Sequence, residues 1–146
     1  MPQSLADQFK TMLTQKPEIR GLTELIYVWL PAAIEPDERE ERFAQAIDDE
    51  LRLETLGYVS GGGSLIVEDD LDDQGDGRIE GCGVDVEAVD VAAVRALLHR
   101  LLPSLECPIW TELHYRQNGR RLLDAFDGIR WDLGQPRDMT HPAFGL

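Results

Sequence analysis

Residues 25–30 read Leu-Ile-Tyr-Val-Trp-Leu, apolar at every position, and Pro31 stops the run. A run this short, rich in β-branched and aromatic residues, favours a strand over a helix. A strand apolar on both faces has to be covered on both, so this one belongs at the centre of a sheet. The remaining elements must be arranged around it. The longest mainly apolar stretch, Leu25–Ile34, contains that proline and is about half as long as a membrane crossing requires. Met1–Lys10 has no basic region followed by an apolar core, so no secretory signal is expected.

The periodicity predicts a helix over Leu5–Gln15, capped by Ser4 and closed by Pro17 and Gly21. After the central strand, Glu35-Pro36-Asp37-Glu38 opens a long helix, with proline in the first turn and acids that complement the helix dipole. Its buried stripe is Phe43, Ile47 and Leu51, with Arg39, Asp48, Asp49 and Arg52 facing outward, and Gly57 ends it. Tyr58–Val67 is a second strand interrupted by Gly61-Gly62-Gly63, where the glycines make a bulge or admit another backbone. Glu68–Gly77 is an acidic loop. Arg78–Ala88 is a third strand, with Cys82, Val84 and Val86 pointing one way and Gly81, Gly83, Asp85 and Glu87 the other. Asp90 caps a helix over Val91–Leu102 with a stripe of Val94, Leu97, Leu98 and Leu101, and Pro103 stops it. Ile109–Arg116 and Arg121–Phe126 form a hairpin through Asn118-Gly119, and the tail from Asp127 is expected to pack as ordered coil.

This pattern predicts a single α+β domain over residues 1–146. A helix fills residues 1–21, a core residues 22–117, and a hairpin strand with an ordered tail residues 118–146. The core order β-α-β-β-α-β is that of the ferredoxin-like plait, an antiparallel sheet with both helices on one face. Its expected strand order is 4-1-3-2, with Leu25–Leu30 central.

Charge is concentrated in one region. Residues 35–90 hold 19 acids against four arginines, whereas the rest of the chain holds nine acids and ten bases. A net charge of −14 argues against unaided binding to nucleic acid or to an anionic membrane. The acidic stretch has two readings, solubility and a docking surface for a basic partner. Asp70, Asp72, Gln74 and Gly75 fit the start of an EF-hand register, but Gly81 occupies the place that needs a glutamate, and the flanks read as strands. The glycines at 61–63 belong to no phosphate-binding motif, and no lysine follows Lys16. His99, His114 and His141 share no metal-ligand spacing; His99 is expected near the surface. Glu112 and His114 share a strand face with Trp110 and Arg116, a small polar site without a nucleophile. Cys82 reads as a small buried hydrophobe, and two cysteines in all imply reduced thiols in a cytoplasm.

The run Gly57-Tyr58-Val59-Ser60-Gly61-Gly62-Gly63-Ser64, the acidic turn, Ile79-Glu80-Gly81-Cys82-Gly83-Val84-Asp85-Val86 and the helix after Asp90 together resemble small bacterial plait proteins of the toxin-immunity type. That resemblance implies a non-enzymatic, cytoplasmic binding protein that inhibits a cognate antibacterial toxin by covering its basic active-site region. It carries no catalytic residues, cofactor or metal, and expects no nucleic-acid or membrane partner. The partner-binding residues expected here are Glu68, Asp69, Asp70, Asp72, Asp73, Asp76, Asp85 and Glu87. The alternatives are a small-molecule-binding or regulatory plait, with its ligand over Gly61 and Gly83, and a small enzyme. The enzyme would use Glu112, His114 and Tyr115, or Asp85 and Glu87 with a metal.

Overall fold

The structure is a computed structural model that describes residues 18, 19, 21–67 and 78–137. The helix expected over Leu5–Gln15 and the loop from Glu68 to Gly77 lie outside the described residues. The elements are β1 (Glu24–Leu30), the helix α1, β2 (Gly57–Val67), β3 (Arg78–Ala88), the helix α2 (Val91–Ser104), β4 (Glu112–Gln117), β5 (Arg120–Phe126) and β6 (Trp131–Pro136). Helix α1 runs through three consecutive pieces, Pro36–Arg39, a π-helical turn at Glu40–Ala44, and Gln45–Leu53.

The chain is α+β, with a six-stranded antiparallel sheet in the order β2-β3-β1-β4-β5-β6. This differs from the four-strand order expected, because the sheet continues past β4 through β5 and β6. The all-apolar strand is interior: β1 pairs with β3 from Glu24↔Ala88 to Leu30↔Cys82 and with β4 at Tyr27↔His114. One core is built on one sheet face. Ile26, Val28 and Leu30 of β1 and Cys82, Val84 and Val86 of β3 meet Phe43, Ile47 and Leu51 of α1 and Val94, Leu97 and Leu98 of α2. Leu101, expected in the stripe of α2, is only partly buried; Leu102 is fully buried in its place.

The second sheet face explains two glycines. On β1 this face carries Tyr27 and Trp29, whose rings lean diagonally across β3. A Cβ at Gly83 would overlap the Tyr27 ring, and one at Gly81 the Trp29 ring. Both glycines are buried rather than displayed, as the alternation alone had implied. On β2 the register shifts between Val59 and Gly61, which is the expected bulge, and again between Leu65 and Ile66. A side chain at Gly62 would meet the Gly83 carbonyl, so close backbone approach also holds there.

Two expectations about the C-terminal half need correction. Trp131–Pro136 form a sixth strand, not coil, joined to β5 through a turn in which the Asp127 carboxylate accepts from the N–H groups of Ile129 and Arg130; residues 138–146 of that tail lie outside the described residues. Strand β4 begins at Glu112, and Ile109 and Trp110 sit in the preceding turn, both more than half exposed. Trp110 takes a positive φ of 71°, a strained backbone for an aromatic residue, while its N–H donates to the Phe126 carbonyl at 2.6 Å. Asn118 and Gly119 both have positive φ, as a two-residue hairpin turn requires.

Candidate functional site

Three polar regions could carry function. The first is buried. Asp124 of β5 points into the helix-covered side with no exposure at all. Its carboxylate accepts from Arg95 Nε (2.8 Å) and Nη2 (2.9 Å), His99 Nε2 (2.8 Å), the Tyr115 hydroxyl (2.8 Å) and the Gly134 N–H (2.9 Å). Burial alone would raise the carboxyl pKa, but the bonds from His99, Arg95, Gly134 and Tyr115 outweigh it and hold Asp124 well below the usual carboxylate range. Burial, and then the carboxylate it bonds, push the Tyr115 hydroxyl well above its ordinary value. The Arg95 guanidinium also lies 4.0 Å over the Tyr115 ring. This anion is saturated with donors, so it ties α2 to β4, β5 and β6 and has no lone pair to spare for a substrate proton.

The sequence reading missed this cluster and placed His99 near the surface. Its side chain is four-fifths buried, bonded to Asp124 and packed 5.0 Å from the Trp131 ring. The signal was an acid in the apolar phase of a strand, with Leu122 and Phe126 on either side of Asp124 in that phase.

The second region is the other sheet face. Glu112 and His114 are neighbours there, Oε1 to Nε2 2.9 Å, and His114 meets the Tyr27 ring edge-on at 5.8 Å. Tyr115 faces the opposite way into the Asp124 cluster, so the structure does not assemble Glu112, His114 and Tyr115 into one site. Trp110 is not on this strand face either. Asp85 is buried, and one of its carboxylate oxygens has no hydrogen-bond partner. Burial and the neighbouring Glu87 raise its pKa, against the opposing pull of Arg39. Burial, followed by the Asp85 charge, pushes the Tyr27 hydroxyl up to about 12. Glu87 is half-buried and accepts from the Thr23 and Ser60 hydroxyls. Asp85 is therefore not the surface contact the sequence reading expected. Among the described residues, no group of three or more histidines, cysteines or acids is placed to hold a metal ion. The space over Gly83, proposed for a ligand, is filled by the Tyr27 ring.

The third region lies at the sheet edge. A groove of about 420 Å³ runs between α1 and β2, lined by Glu40, Glu41, Ala44, Gln45, Asp48 and Arg52 on the helix and by Val59, Ser60 and Gly61 on the strand. Asp48 accepts from Arg52 Nε at 3.0 Å and from the Val59 N–H at 2.9 Å, which fixes the strand against the helix. The π-helical turn is located where α1 borders this groove, and Glu40 and Glu41 both belong to it. Glu68, Asp69, Asp70, Asp72, Asp73 and Asp76 lie outside the described residues.

Both thiols, Cys82 and Cys107, are buried and raised in pKa chiefly by burial, so neither is an activated nucleophile. Among the described residues, no helix is long and apolar enough to cross a membrane. No protein-family model, curated protein or solved structure matches the chain.

Proposed function

We propose that this chain is a non-enzymatic, acidic binding protein of the immunity type, working in the cytoplasm, which inhibits a cognate antibacterial toxin by covering its basic active-site region. In this reading β1 to β4 with the two helices are a ferredoxin-like plait, widened by β5 and β6. The observation that carries the proposal is the disposition of charge on α1. Glu35, Asp37, Glu38, Glu40, Glu41, Asp49 and Glu50 are all exposed along one helix, next to an open groove. A predominantly acidic surface of this kind, with Arg42 paired to Glu38 on it, accelerates encounter with a cationic partner and repels nucleic acid and anionic lipid.

Two further features support a binding role over a catalytic one. In the most elaborate polar cluster the Asp124 carboxylate is saturated by donors that hold strands and helix together. Tyr115, the hydroxyl expected to act with the Glu112–His114 pair, faces away from it. The small-ligand alternative is weakened by the ring of Tyr27 over Gly83.

The test is to co-express the tagged chain with the product of each neighbouring gene and measure both co-purification and rescue of growth. A partner that is toxic alone, is harmless with this chain and binds it stoichiometrically is the expected result. Rescue without binding, or binding with no effect on toxicity, would overturn the proposal.

A further inference from the structure

We infer that the outer edge of β2, terminal among the described strands, is where the partner docks, as an extended basic segment that adds a seventh strand and lays its lysines or arginines in the groove beside α1. The inference rests on the binding role proposed above and names the surface and chemistry of that role. Its starting point is an asymmetry between the two sheet edges. Strand β6 is short, ends in Pro136 and meets β5 through a register shift, all devices that discourage further pairing. Strand β2 is the other terminal strand, has 11 residues and contains neither proline nor a basic side chain. Gly61, Gly62 and Gly63 are exposed along it, and Leu65 and Ile66 are each half exposed. Among the described residues, no other backbone pairs with its outer side; Asp48 takes only the Val59 N–H at one end.

Strand addition draws affinity from main-chain hydrogen bonds and specificity from side-chain contacts beside the edge. Those contacts along the groove are anionic, and Arg39, which donates to the Ser64 hydroxyl at 3.2 Å, is the basic exception beside the strand. Glu40 and Glu41 are exposed on the groove wall and, among the described residues, form no ion pair, while the one arginine of the groove is committed to Asp48. The glycines carry no side chains of their own to obstruct a second backbone. Charge complementarity therefore selects a cationic strand over a neutral or acidic one.

The probe is a synthetic octapeptide of alternating arginine and valine, compared with the same peptide N-methylated at alternate residues, which keeps the charge and removes pairing donors. The expected result is slowed amide exchange at Gly61–Ile66 with the first peptide, and binding weakened at least about tenfold by methylation. Glu40→Gln with Glu41→Gln, exposed changes that leave the fold intact, should also weaken binding about tenfold at low salt. Equal binding of the two peptides, protection confined to residues 68–77, or indifference to the double substitution would overturn the inference. The two proposals fail separately. A cognate toxin that binds and leaves Gly61–Ile66 unprotected overturns the edge docking and keeps the immunity role. Strand addition by the peptide with no inhibitory partner among the neighbouring genes overturns the immunity role instead.

Discussion

Asp124 and Asp85 are both buried carboxylates, and their opposite surroundings give them opposite effects on stability. Asp124 is held ionised by its donors, so its folded pKa lies below the unfolded value. Such a group adds stability that is present above the unfolded carboxylate pKa, about 3.9, and is lost as pH falls through the folded value. Asp124→Asn leaves Arg95 without its counter-charge and should cost roughly 3 kcal/mol at neutral pH. Denaturant titrations should show the two proteins converging in stability below about pH 4. Asp85 is the reverse case, with burial and Glu87 raising its folded pKa above the unfolded one. Stability is then lost as pH rises from the unfolded toward the folded value, and the loss persists at neutral pH. Asp85→Asn should raise stability by about 1 kcal/mol at pH 7 and by nothing at pH 3. A destabilised variant at pH 7 would show that the carboxylate has a partner that outweighs its burial.

Among the elements, the end of α2 shows how a local rule is met by tertiary structure. Pro103 lies in the last turn of the helix, so it cannot donate to the carbonyl of His99 four residues earlier. The Trp131 indole Nε1–H takes that place, donating to the His99 carbonyl at 3.0 Å. This is why the helix runs on to Ser104 where the proline was expected to stop it, and why the tail is ordered as a strand against it. Trp131→Phe keeps an aromatic ring against Phe126 and removes the donor; it should lower stability by about 1 kcal/mol, measured by thermal or chemical unfolding. Strands β1 and β3, both helices and the Asn118-Gly119 turn were legible because each has a strong periodic or turn signature. Strand β6 was not. Its sequence, Trp-Asp-Leu-Gly-Gln-Pro, lacks alternation, and its place is set by pairing with β5, a non-local contact. The Asp124 cluster was hidden for the same reason: His99, Tyr115 and Asp124 are ordinary residues in three elements until the sheet brings them together. The glycines of β2 could be read as bulge or close-approach residues, but those of β3 only as facing away from Cys82, Val84 and Val86, not as seats for the rings of Tyr27 and Trp29.

For the whole molecule, the helix-covered face holds the core and the partner surface is proposed on the acidic edge, so the two should be alterable independently. Truncating Phe43, fully buried on the sheet-facing side of α1, to alanine should cost ~3 kcal/mol. Neutralising exposed acids should hardly change folding, because exposed carboxylates contribute little and repel one another. The central claim is that the charge of residues 35–90 steers a basic partner. The measurement that tests it most directly is the association rate with the cognate partner across ionic strength, for the native chain and for one with Asp69, Asp70, Asp72 and Asp73 replaced by asparagine and serine. The Debye length falls from ~30 Å at 0.01 M to ~8 Å at 0.15 M, so the native rate should drop steeply over that range. The substituted chain should associate one to two decades more slowly at low salt, on the order-of-magnitude scale of steered pairs, with the same stability. An association rate indifferent to both salt and these four substitutions would contradict the claim and leave the acidic stretch as a solubilising surface.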